Sequence, residues 1–336
     1  MKYSSILFLV FVNFSASLYA QQVDFETTDF KTADSVAALY PGHSLRNLKI
    51  LADKLTIPLS TEEEKFRAIY RWVCFNIEYD YQNYLTNKHK RDKLKNNTGE
   101  LAQWNKKFSL VVFNKLLTEQ KTVCTGYAYL IKELSYHAGL SCVIIDGYGR
   151  TTQANIGGAG IANHSWNAIQ LNNKWYLCDA TWSSGAIDTH TGRFVKKFDD
   201  SYFLVDPSLF IRNHYPLDST WLLCDKLTLP EFLNAPLVYN GLFKYKIKAV
   251  WPETFDLTII KGETVSFRFK KNSQVETENI LLLIRSSGNV NEVSPLMNDV
   301  VDGLYTIDYC FSQRGTYRVY VLLDLNYVCS YLIKVT

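Results

Sequence analysis

Long basic runs, CxxC cysteine pairs, calcium-loop clusters of acidic residues, internal repeats and low-complexity stretches are all missing from this sequence, and each absence excludes something. With no basic segment interleaved with aromatics, and a net charge of only +3, nucleic acid is not an expected partner. Lys88–Lys95 is the one charged cluster and reads as a solvated surface loop. The cysteines stand scattered at 74, 124, 142, 178, 224, 310 and 329, so neither a zinc site nor a disulfide framework is expected. Their odd count leaves at least one thiol unpaired within the chain. Cys310 and Cys329 lie in strand-like segments of one region and read either as a pair or as two buried thiols. Without calcium-loop spacing, no metal and no cofactor is expected. The first apolar run, Ile6 to Phe14, falls short of the roughly 20 residues a membrane span needs.

That run follows Lys2 and precedes Ala16-Ser17-Leu18-Tyr19-Ala20, the order of a secretory signal peptide cut after Ala20. An uncleaved anchor is the alternative. A lipid anchor is disfavoured, because no cysteine follows closely. The expected mature chain, about 316 residues without a membrane span, is periplasmic or extracellular. At 47% hydrophobic and 14% aromatic it has ample material for a core.

Residues 21–60 read as a short lead-in. Thr61 with Glu64 has capping-box spacing, and Phe66, Ile69, Tyr70, Val73 and Ile77 form one apolar helical stripe. Residues 81–107 are polar and lysine-rich, a long surface excursion of the kind that supplies binding loops. Residues 109–118 read as a second helix. A third opens at Cys124 with Thr122 as cap, buries Tyr127, Leu130, Ile131 and Leu134, and stops at Gly139. The period then changes: Cys142–Asp146, His164–Leu171 and Lys174–Ala180 read as strands, with a glycine-rich, flexible stretch from Gly147 to Ala162. Asp206-Pro207 marks a helix start, and Pro216, Pro230 and Pro236 punctuate a linker. Seven short alternating runs then fill residues 237–336 (243–250, 258–260, 264–269, 280–285, 303–310, 316–323 and 328–335), the size of an immunoglobulin-like sandwich.

Cysteine catalysis needs a thiolate, an imidazole beside it and a third group that orients the imidazole. Cys124 stands in the first turn of a helix, where backbone amides and the macrodipole favour the thiolate. Asn172-Asn173 makes a two-residue turn between strands. Leu171 then opposes Lys174, and stepping back along both strands puts Trp166 opposite Asp179 and His164 opposite Thr181. His164 and Asp179 become diagonal neighbours on one face, within reach of each other. A one-residue bulge would separate them.

Three ordered runs carry a resemblance: Thr122-Val123-Cys124-Thr125-Gly126-Tyr127-Ala128, Asn163-His164-Ser165-Trp166-Asn167, and Trp175-Tyr176-Leu177-Cys178-Asp179-Ala180-Thr181-Trp182. Together with the helix Phe66–Asp80, they resemble the transglutaminase-like superfamily, and Tyr202–Leu223 resembles its kyphoscoliosis-peptidase-like branch. The resemblance spans about 60–225. It implies an α+β, papain-like/transglutaminase-like catalytic domain at 61–232, and the strand pattern alone adds the β-sandwich domain at 237–336. It implies Cys124 as nucleophile, His164 as general base and then acid, and Asp179 as orienter, acting on peptide or protein amide bonds through a thioester. Hydrolysis is expected over cross-linking, since an exported enzyme works in water. Trp104, Trp166 and Trp182 are candidate groove residues, Trp104 also as oxyanion donor. The remaining histidines, His43, His89, His137, His190 and His214, read as structural or surface residues. A catalytically silent scaffold or binding protein is the rival reading.

Overall fold

The computed structural model describes residues 24–25, 27–188, 190–224, 227–271, 280–286, 289–293, 298–301 and 303–336. The leader expected at 1–20 lies outside them. Part of the expected lead-in belongs to the core: α1 (Lys31–Ala38) and α2 (Leu48–Thr56) pack on α3 (Glu62–Asn76), and Ala33, Leu51 and Leu55 are wholly buried. Two turns of helix each give too few apolar repeats to announce themselves. The third helix starts as its sequence demands, with both halves of the Thr61/Glu64 capping box formed. Its stripe of Phe66, Ile69, Tyr70 and Val73 is 0% exposed. From the same helix Arg67 reaches Asp34 of α1 (Nε to Oδ1, 2.6 Å) and Asp200 (Nη2 to Oδ2, 3.0 Å).

Two short parallel strands come next, β1 (Glu78–Tyr79) and β2 (Lys121–Thr122). Between them the expected surface excursion is helical: α4 (Tyr81–Leu94), capped by Asp80, and α5 (Thr98–Glu119), capped by Asn97. Polar on every side, α4 buries no residue, and α5 buries only Phe108, Val112 and Leu116. A helix without a buried face shows no hydrophobic period to read.

Helix α6 (Cys124–His137) follows β2 directly, so Thr122 lies in the strand and Val123 takes the cap position. Gly139, at φ +79°, ends it. The strands β3 (Cys142–Gly149), β4 (His164–Leu171) and β5 (Lys174–Cys178) then meander. After them come α7 (Ala180–Ser184), the hairpin of β6 (Gly185–Asp188) and β7 (Arg193–Lys196), α8 (Pro207–Phe210) and β8 (His214–Pro216). The main sheet has the antiparallel order β5-β4-β3-β8. Asn172 and Asn173 both take positive φ, and Leu171 pairs with Lys174 as expected. Pro216, expected in a linker, instead closes an edge strand, the place in a sheet that tolerates proline.

Toward the C-terminus, α9 (Leu229–Asn234) and α10 (Asn240–Lys244) precede two sheets. One orders the strands 247–251, 264–271, 304–310 and 298–301. The other orders 256–259, 326–335, 315–323, 280–286 and 289–293, with its first pair parallel. The run expected as a strand from Phe243 begins in α10 and becomes extended only at Ile247. Cys310 is an exposed thiol in one sheet and Cys329 a buried one in the other; both are free.

Alternating residues give the main sheet two apolar faces. Ile169, Leu171, Tyr176 and Cys178 pack with the helices α1, α2, α3 and α6. Ile145, Trp166 and Ala168 pack with Phe210 and, in one continuous cluster, with Val238, Phe267, Val321 and Tyr331. The core therefore runs across the expected boundary at 232–237.

Candidate active site

Cys124 is the first residue of α6, and its cap residue, Val123, makes no side-chain bond to the first-turn amides. The thiol side chain is nearly enclosed, the residue being 8% exposed. Burial by itself would raise its pKa. Its hydrogen bond to His164, the imidazolium charge and the backbone N–H of Ser165 outweigh burial and hold it below the ordinary thiol range. His164 Nε2 lies 2.7 Å from Asp179 Oδ2, which leaves Nδ1 for the sulfur. Burial would lower the His164 pKa, but Asp179 and the thiolate together push it up to about 10.

Asp179 sits where β5 gives way to α7. Its Oδ1 caps the helix, accepting from the backbone N–H of Thr181 (2.8 Å) and Trp182 (3.3 Å), while Oδ2 faces His164. Burial works against its charge, yet His164 and His214 hold the carboxyl well below the usual carboxylate range. The hairpin register holds as far as Asn167 opposite Cys178, and Asp179 then turns out of the ladder to reach His164. Asn167 fixes the spacing between strand and helix: its Nδ2 donates to Ala128 O of α6 (3.0 Å) and to Val143 O of β3 (3.1 Å).

Sequence reasoning missed His214. Expected to be structural or superficial, it is buried against the triad: its Nε2 lies 3.1 Å from Asp179 Oδ2, its Nδ1 lies 2.6 Å from Asn213 Oδ1, and its own side chain is 0% exposed. Burial, opposed by Asp179, pushes its pKa down to about 4. The two histidines meet across β3, where Gly147 pairs with His164 and Gly149 with His214. A Cβ on Gly149 would stand 2.9 Å from His164 Cβ, and one on Gly147 would stand 2.5 Å from the Trp166 ring. The signal was Gly147-Tyr148-Gly149, a strand with two side chains left out.

Of the candidate groove residues, Trp182 stacks on His164 with ring centres 5.1 Å apart and borders the site. Trp166 is core, 1% exposed, although its ring also stacks against His164. Trp104 donates its indole N–H to Asn87 Oδ1 (2.9 Å), stacks on Phe108, and packs against the cluster that holds Val123, the residue before Cys124. That bond occupies the N–H that an oxyanion would need.

His164, Asp179 and His214 form a group of potential metal ligands among the described residues, with donor atoms within 4.8 Å of one another. Ligands about 2.0 Å from one tetrahedral ion stand about 3.3 Å apart. The separations from Asp179 Oδ2 of 2.7 and 3.1 Å are those of direct N–H···O bonds, which account for the group without an ion. Thiol, imidazole and carboxylate in series can ionise the thiol and pass its proton on, the requirement for a cysteine nucleophile.

Comparison with known proteins agrees with this architecture. Residues 49–180 match the transglutaminase-like superfamily. Kyphoscoliosis peptidase of Mus musculus is 31% identical over 74% of this chain and 36% of its own length. The Homo sapiens protein of that name is 30% identical over 83% of the chain and 40% of its own length. Hillarin of Drosophila melanogaster is 28% identical over 67% of the chain and 26% of its own length. The chain belongs to the transglutaminase-like superfamily and, within it, to the branch of kyphoscoliosis peptidase. It covers well under half the length of each of these relatives.

Proposed function

We propose that this protein is a cysteine acyl-transfer enzyme that opens amide bonds of peptides or proteins, by hydrolysis rather than cross-linking. The observation that carries this reading is the hydrogen-bonded series Cys124–His164–Asp179, enclosed at the start of a helix. The Cys124 thiolate attacks the carbonyl carbon, and the backbone N–H of Cys124, at the start of α6, donates to the oxygen that gains charge. His164 gives its Nδ1 proton to the leaving amine, the C–N bond breaks, and a thioester remains. Water, deprotonated by the same nitrogen, then releases the acid and restores the thiol. An amine in place of water would give a cross-link. Two of the relatives bear the name of a peptidase, which agrees with the hydrolytic outcome.

One observation favours a silent scaffold instead: Trp104, the candidate oxyanion side chain, is bonded to Asn87. Incubation with unfolded casein and a fluorescent primary amine separates the readings. New peptide termini, or glutamine converted to glutamate, abolished by Cys124→Ala, mark hydrolysis, and fluorescent casein marks cross-linking. Neither product, in protein whose Cys124 also shows no enhanced reactivity, supports the scaffold. Export belongs to the same proposal, and an intact mass beginning at Gln21 in the purified protein checks it.

A further inference from the structure

The catalytic reading makes no use of His214, although few side chains in the molecule are so tightly held. Its ring packs against His164, Trp166, Trp182, Tyr202 and Phe210, with centres 4.0 to 6.0 Å away. Among these neighbours, Asp179, His164 and Tyr202 are the titratable groups that face it, Tyr202 also through Asn213, whose Nδ2 lies 3.2 Å from the tyrosine hydroxyl. A space-filling role needs no polar ring here, and an aromatic cage is a costly place for an imidazole without partners.

The acceptor count of Asp179 supplies the reason. An ionised carboxylate offers about four lone-pair sites. The Thr181 and Trp182 amides engage Oδ1, and His164 takes one site on Oδ2. The remaining site on Oδ2 is met by His214 Nε2 at 3.1 Å. On β3, Gly149 pairs with His214 and leaves the room that His164 occupies. Burial keeps the His214 ring neutral at ordinary pH, with one proton for two oxygen neighbours, Asn213 Oδ1 beside Nδ1 (2.6 Å) and Asp179 Oδ2 beside Nε2 (3.1 Å). That proton goes to Nε2, where the acceptor is a carboxylate, and the Asn213 amide then turns its NH2 to Nδ1.

We propose that His214 is a positioning residue of the active site, whose Nε2–H fills the last acceptor site of Asp179 and so fixes that carboxylate against His164. The proposal rests on Cys124 being the nucleophile. Without this donor Asp179 is free to turn or to take a proton, His164 loses its anchor, and the thiolate loses its counter-ion.

The test is the rate of Cys124 alkylation by iodoacetamide from pH 5 to 9, followed by mass spectrometry, with Cys124→Ala identifying labelling elsewhere. Wild-type protein should show a half-point below the ordinary thiol value of about 8.5. His214→Phe, which keeps a ring but donates nothing, should move it up by about one unit and slow labelling at pH 6 about tenfold. His214→Gln, which restores an N–H donor, should recover most of the loss. A low wild-type half-point untouched by His214→Phe overturns this proposal alone. An ordinary wild-type half-point removes the nucleophile and the proposal with it. Nitrogen-15 NMR of histidine-labelled wild-type protein decides the matter if the variant does not fold: a proton on His214 Nε2 is expected, and a ring protonated only at Nδ1 overturns the role.

Discussion

At the scale of single residues, the site turns on where protons reside. Asp179→Asn keeps the shape of the carboxylate but removes the charge that raises the His164 pKa. Thiolate formation should then fail at neutral pH, and Cys124 alkylation at pH 6 should slow by at least about tenfold. The same groups set the acid sensitivity of the fold. Above about pH 7 folded His164, its pKa raised to about 10, keeps a proton that the unfolded imidazole has lost, and the lowered Cys124 thiol offsets this as it ionises. Below about 6.5 the unfolded chain protonates both histidines. Folded His164 already carries its proton, and folded His214 stays neutral down to about pH 4. The unfolded state then holds more protons, so stability falls as pH drops, by about 1.4 kcal/mol per pH unit for each extra proton. Asp179 extends the fall below the usual carboxylate range. Urea midpoints should therefore decline steadily from pH 6.5 to 4. A midpoint that rises on acidification contradicts this account.

Among the elements, β3 is the sensitive one. Gly149→Ala places a methyl group 2.9 Å from His164 Cβ, on a strand already paired on both sides. Overpacking of this kind costs about 1–3 kcal/mol, and here its first effect is on the ring that must face Cys124. Alkylation should lose its low half-point while circular dichroism shows a folded chain. The pattern of what was legible follows from the physics of each element. The β4–β5 hairpin was readable because Asn172-Asn173 fixes its register by turn chemistry. Helix α3 was readable from its capping box and its stripe. Helix α4 was not, because it has no buried face to impose a period. His214 was not, because its partners lie 35 and 50 residues away and only the pairing of β8 on β3 brings them together.

For the molecule as a whole, the question is which parts can exist alone. The sequence suggests a break at 232–237, but Trp166 and Phe210 share their cluster with Val238, Leu242 and Phe243 and, beyond them, with Val319 and Tyr331. Leu237–Val238 also pairs with the last strand, Asn326–Val335. A chain ending at residue 236 uncovers that face of the main sheet. Each large side chain left in water forgoes about 1.5–3 kcal/mol, and a few of them exceed the stability of a typical domain. Such a chain should give no cooperative urea transition and no near-ultraviolet circular dichroism. A cooperative transition like that of the full chain would show that the C-terminal sheets are dispensable.

Asp179 is at once the helix cap of α7 and the anchor of two imidazoles. On the proposed mechanism its loss would harm folding and chemistry together, whereas loss of the Cys124 sulfur would harm chemistry alone. Selection on shape therefore guards the aspartate even where selection on turnover has lapsed. In a descendant of this chain that abandons catalysis, the cysteine is free to drift first, and the aspartate with its two histidines should outlast it as a fossil of the reaction.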